Sequence, residues 1–153
     1  MADLTSDSLC NICCVHYNAG LRCCALGTTV EGGNLFAKSG SVAWIVAPVA
    51  YEVIRTWYAI NDAVDLANNN IGCGDWFIPS RDVLLLANAC REFWDNDLSL
   101  NTYVTYWSTT SYNTTSCSWV VCFSNCANVL NAGCTFTFRN NTASARAFRK
   151  VFY

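Results

Sequence analysis

From Leu98 to Phe138 the chain runs for 41 residues without one Asp, Glu, Lys or Arg, and 19 of those residues are Ser, Thr or Asn. No part of the stretch approaches the ~18–20 consecutive apolar residues that a membrane-crossing helix needs. The sequence is therefore read as not membrane-spanning. Runs rich in Thr, Tyr, Trp, Val and Phe, broken by Asn and Ser clusters, instead predict short strands. The candidates are Tyr103 to Thr109, Ser118 to Phe123, Thr135 to Arg139 and, beyond the uncharged stretch, Ala145 to Phe152.

Helical periodicity appears only in the middle of the chain. Val53, Trp57, Ile60, Val64 and Ala67 recur at three and four residues, with Asp62 and Asp65 off the stripe, and Asn68, Asn69, Asn70 and Gly72 mark its stop. A second helix is punctuated more clearly. Ser80 is placed to cap it, Asp82 sits where the helix dipole favours negative charge, and Val83, Leu86, Cys90 and Phe93 form the apolar stripe before an exit at Asp95, Asn96 and Asp97. Ahead of these helices, Asn34 to Ala37 and Val42 to Val46 read as strands, with Pro48 ending the second. Leu9 to Leu26 reads as a hairpin around Asn18, Ala19 and Gly20. Two helices among strands make an α+β fold, and 153 residues suit one domain, residues 30–153, preceded by an N-terminal arm, residues 1–29.

Charge narrows the function. The 9 Lys and Arg against 11 Asp and Glu give a net charge of −2 and no basic stripe to neutralise phosphates, so no nucleic-acid partner is expected. With 53% apolar and 13% charged residues the chain is not of the disordered class. Its start, MADLTSDSLC, carries acids where a secretory signal carries positive charge, so the expectation is synthesis in the cytoplasm without general secretion.

Eleven cysteines are the other compositional extreme. Cys10 and Cys13 have the spacing of two thiolates gripping one tetrahedral ion, and Cys23 or Cys24 would extend the set. Against this, the sequence has no second C-x-x-C pair, and cysteine commonly serves as a small buried hydrophobe. Cys10, Cys13 and Cys23 are thus the weak metal candidates, and no cofactor is expected. The only histidine, His16, lies in the arm, which leaves no Ser–His or Cys–His machinery in residues 30–153. Asp95 and Asp97 lack the alternation and terminal Glu of an EF-hand loop. Two glycosylation sequons, at Asn113 and Asn140, carry no weight without export. The chain is read as a non-enzyme.

Five segments occur in order: Gly32-Gly33-Asn34-Leu35-Phe36, Ile45-Val46-Ala47-Pro48, Gly74-Asp75-Trp76-Phe77-Ile78-Pro79-Ser80-Arg81-Asp82, Tyr106-Trp107-Ser108-Thr109-Thr110 and Ala145-Arg146-Ala147-Phe148-Arg149. In combination they resemble the C-type-lectin-like domain at the C-terminus of the Lcl adhesins, found in bacterial and phage surface proteins. The resemblance spans about residues 30–153. It implies two helices, small antiparallel sheets and long loops, and a role in binding or adhesion, with glycans among the ligands and no shared catalytic motif. This chain departs from the family in its start, since residues 1–29 match nothing there and family members are often exported. It also lacks the Glu-Pro-Asn and Trp-Asn-Asp signals of calcium-dependent sugar binding.

Within the uncharged stretch, Tyr112, Asn113, Trp119, Asn125, Asn128 and Asn131 combine flat aromatic faces with amides that donate and accept, a set suited to neutral sugar hydroxyls. Turn-filling asparagines and a core Trp119 would explain the same residues. The expected function is a virion-associated adhesion or receptor-binding protein, as at a phage tail or fibre, recognising a host-surface glycan or protein. Residues 1–29 would dock on copies of the chain or on other virion proteins. The alternative is a capsid or tail decoration protein using the fold as scaffold, and the alternative locations are the cell surface and the cytoplasm.

Overall fold

Alternating apolar residues on either side of a Ser39-Gly40 turn, with Gly40 at φ +60°, make the first hairpin. The computed structural model describes residues 25–90, 93–94, 104–112, 115–123 and 134–152. Strands β1 (Thr29–Val30), β2 (Gly33–Ser39) and β3 (Val42–Val46) run antiparallel. β9 (Phe148–Phe152) closes this first sheet in the order β1-β2-β3-β9. In β2 the register slips between Leu35 and Ala37, so Phe36 is the extra residue of a bulge. Strand alternation sends Leu35 into one core cluster and Phe36 into another, and the bulge brings Ala37 into the same cluster as Phe36. Gly33 admits no side chain, because a Cβ there would lie 2.2 Å from the Val46 carbonyl oxygen.

The second sheet has the order β4-β8-β5-β6-β7, built from β4 (Val53–Thr56), β5 (Val104–Ser111), β6 (Cys117–Phe123), β7 (Cys134–Phe138) and β8 (Thr142–Ala145). All its pairings are antiparallel except β5 with β8. Helix α1 (Asn61–Asn70) buries Ala63 against Trp107 and Val120 of this sheet, and Ala67 against the first sheet and Trp76. Helix α2 (Arg81–Ala89) buries Leu84 and Ala87 against Phe36, Tyr106, Val121 and Phe148. The architecture is α+β, as expected, and no described helix is long and apolar enough to cross a membrane.

Two element boundaries differ from expectation. The periodic run from Val53 predicts a helix beginning there, but the helix starts at Asn61; Val53–Thr56 is strand and Trp57–Ala59 a single 3₁₀ turn. β4 forms because its backbone pairs with β8, Val53 opposite Ala145 and Thr56 opposite Thr142, a partner that no local period reveals. The run from Ala145 to Phe152, read as one strand, is divided between the two sheets at Arg146 and Ala147. The stripe of α2 is also rotated by one position, with Leu84 and Ala87 deepest and Val83, Leu86 and Cys90 at its margin. Of the 1–29 arm, residues 1–24 lie outside the described residues, as does the greater part of the expected hairpin.

The break between β8 and β9 is held by charge. Arg149 is 1% exposed; its Nη1 donates to Glu31 Oε2 at 2.7 Å and to the Glu31 carbonyl at 3.0 Å, and its Nε donates to Asp75 Oδ1 at 2.6 Å. Burial alone would lower the Arg149 pKa, but hydrogen bonds and charge from Asp75 and Glu31 outweigh it and hold it above its ordinary value. Arg146, also 1% exposed, donates through Nε to Glu52 Oε1 at 3.1 Å and lies 5.0 Å from the Trp94 ring centroid. Tyr106 donates its hydroxyl to the same Glu52 oxygen at 2.5 Å.

Arg149→Met is expected to cost about 3–5 kcal/mol, because it leaves the Glu31 carboxylate buried without this cation. Arg149→Lys should recover only part, since one ammonium cannot reproduce the two-sided fork. Urea denaturation midpoints at constant slope check both values.

Candidate functional site

The Tyr106-Trp107-Ser108-Thr109-Thr110 segment does not run straight along β5. Trp107 pairs with Val120 and Ser111 with Ser118, so four β5 steps span two on β6 and the residues between them bulge outward. Ser108 satisfies the distorted backbone, its hydroxyl donating to the Trp119 carbonyl at 2.7 Å and accepting from the Thr110 amide at 3.2 Å. The bulge then grips the start of α2. The Thr109 amide donates to the Pro79 carbonyl at 3.0 Å, and Thr110 Oγ1 accepts from the Arg81 amide at 2.9 Å. Ser80 caps the helix as expected, its Oγ accepting from the Val83 amide at 3.4 Å. Two of the five segments that carry the sequence resemblance therefore meet in space, and their joint sets the position of Arg81.

That position is over Trp119, with the guanidinium carbon 4.8 Å from the ring centroid. Trp119 and Phe136 are direct cross-strand partners on β6 and β7. Tyr112, just past β5, stacks on Phe136 with centroids 4.2 Å apart and planes at 16°, and meets Trp119 edge-on at 5.3 Å and 75°. The result is a row of Arg81, Trp119, Tyr112 and Phe136. Cys117 pairs with Phe138, which places Phe138 on the same face by strand alternation. Tyr112 and Trp119 are half-buried, whereas Phe136 is 40% and Phe138 59% exposed.

The row offers two kinds of contact. Aromatic faces and edges supply large apolar area at little entropic cost, and Arg81 supplies fixed N–H donors beside them. Arg81 is only loosely paired in its own helix, its Nε lying 3.8 Å from Asp82. Such a surface accommodates a ligand with both a C–H face and polar substituents, the amphipathic character of a sugar ring.

Of the six sequence candidates, the structure brings Tyr112 and Trp119 into contact. Asn113, Asn125, Asn128 and Asn131 lie outside the described residues, as do Cys10, Cys13, Cys23, His16 and the Asp95–Asp97 turn. Among the described residues no group of three or more His, Cys, Asp or Glu is placed to hold a metal ion. Phe136 and Arg81 were missed. The alternation Thr135-Phe136-Thr137-Phe138 was the available signal for Phe136, because period two puts both aromatics on one face. Nothing local signals Arg81, whose role depends on a strand about thirty residues later.

Compared with known proteins, the chain matches no protein-family model and no curated protein.

The Tyr112–Phe136 stack is expected to couple by about 0.5–1.5 kcal/mol beyond its area, at the lower end because Phe136 is partly exposed. A double-mutant cycle of Tyr112→Ala and Phe136→Ala, read by urea denaturation, measures that coupling.

Proposed function

We propose that this chain is a non-enzymatic binding module of the C-type-lectin-like kind, holding a host-surface saccharide against the aromatic row. Its setting is that of an adhesion or receptor-binding subunit of a virion, such as a phage tail or fibre. The observation that carries the reading is the row itself: Trp119, Tyr112 and Phe136 in mutual contact with Arg81 at one end, at the margin of the sheet face on which α2 packs, with Phe136 exposed. Two further features support it. Charged side chains are absent from the strands that carry the aromatics, and the joint that positions Arg81 is made by the segments that resemble the adhesin family.

One observation favours the scaffold reading. Among the described strands β7 is one of the two edges of the second sheet, and it has Phe136 and Phe138 exposed with neither proline nor charge in Cys134–Phe138. Such an edge invites pairing with another chain. A structural subunit buried among copies of itself would use it so.

A glycan array on the purified chain separates the two. Binding to a defined glycan, weakened at least about tenfold by Trp119→Ala with the thermal melt retained, is the expected result; that ratio corresponds to about 1.4 kcal/mol. Tyr112→Ala should weaken the same glycan. An assembly by light scattering that binds no glycan would overturn the saccharide reading in favour of the scaffold.

A further inference from the structure

The second sheet has two faces beside β6 and β7, and the aromatic row occupies one. On the other face, register gathers a different set of residues. Val120 is opposite Thr135 and Ser118 opposite Thr137, while Thr105 lies two residues from Trp107, the partner of Val120. Helix α1 and Trp57 cover this face over Trp107, Ala143 and Ala145. Past that cover an open groove of about 490 Å³ remains, with the buried Val120 and Ala143 as its floor.

The walls are hydroxyls. The side chains of Thr105, Thr135 and Thr142 line the groove and, among the described residues, make no side-chain hydrogen bond. Thr137 Oγ1 accepts from Asn141 Nδ2 at 2.9 Å, a bond that uses neither the Thr137 proton nor the Asn141 side-chain oxygen. No described lining residue is charged. A charged ligand would find no counter-charge there, and an apolar one would strand the hydroxyls away from water, at a cost for each. A neutral ligand that donates and accepts along its whole outline meets neither penalty.

We propose that this groove is a second ligand site, taking a neutral sugar unit by hydroxyl-to-hydroxyl bonding. Its volume lies in the range of small-ligand sites. Thr135 and Thr137 project from alternate positions of one strand, roughly 6.5–7 Å apart, a separation at which one pyranose ring bridges both hydroxyls. Trp119 and Tyr112 lie on the opposite face of the sheet, and of the row only Phe136 also borders the groove.

The test is a titration of the full ¹⁵N-labelled chain with methyl α-mannoside, N-acetylglucosamine and lactose at millimolar concentrations, followed by amide shifts. At least one sugar should move the Thr105, Thr135 and Thr137 amides. Replacing both hydroxyls with Thr135→Val and Thr137→Val, which keeps shape and strand preference, should weaken that sugar roughly tenfold. Thr142→Val, at an exposed position, should weaken it less and serves if the double variant unfolds. Trp119→Ala should leave the groove affinity unchanged. No groove shifts with any of the three sugars, or shifts that persist equally in the valine variants, would overturn the proposal. Shifts confined to Tyr112 and Trp119 and abolished by Trp119→Ala would also overturn it, while leaving the aromatic-row reading intact.

Discussion

Two arginines three residues apart hold the two sheets to one another. Arg146 and Arg149 flank the crossing from β8 to β9, and each turns into the interior toward carboxylates from other parts of the chain. Removing such charges from water is costly, and attraction within the pair roughly offsets that cost without a large surplus. Their value here is positional. Only one arrangement of β1, the Asp75 corner and the β3–β4 connection supplies Glu31, Asp75 and Glu52 together, so a misregistered β8 or β9 would leave a guanidinium buried without its acids. Glu31 accepts this role in a left-handed backbone conformation, φ +53°, which the fork from Arg149 to its carbonyl and carboxylate helps to stabilise.

The same crossing fixes what lies outside it. Phe148 exchanges backbone hydrogen bonds with Phe77, which seats the Trp76-Phe77-Ile78-Pro79 corner and so the start of α2. The β5 bulge then fastens that start from the other side, through Pro79 and Arg81. Arg81 therefore reaches Trp119 by a chain of rigid connections. Its own side chain contributes little to holding it there, because its contact with Asp82 is long and exposed.

Much of this was legible in the sequence, and what was not has a common cause. The hairpin of Val42–Val46 and the cap at Ser80 follow from residues within a few positions of each other, and both were readable. The strands of the uncharged stretch were readable for the same reason, from composition and alternation. β4 is not visible locally, because the three- and four-residue spacing of Val53, Trp57 and Ile60 is helical while only Val53 of the three lies in the strand, and the strand's partner is about ninety residues away. Ala145 to Phe152 looks continuous because nothing in its pattern shows that Arg146 and Arg149 answer to different acids. In the site, Tyr112 and Trp119 were readable as aromatic types. Their stacking partner Phe136 and the cation at the end of the row come from pairing and from a bulge, which a single sequence does not display.

The tie between Glu31 and Arg149 spans 118 positions of sequence, and that distance has a consequence for how the protein is made. During synthesis β3 emerges with one side paired to β2 and the other side empty, and it stays so until β9 leaves the ribosome. Throughout that interval a strand reading Val-Ala-Trp-Ile-Val is an open edge of high β propensity. The chain's folded yield in a cell should accordingly respond more to translation rate and crowding of like chains than to the equilibrium strength of the finished core.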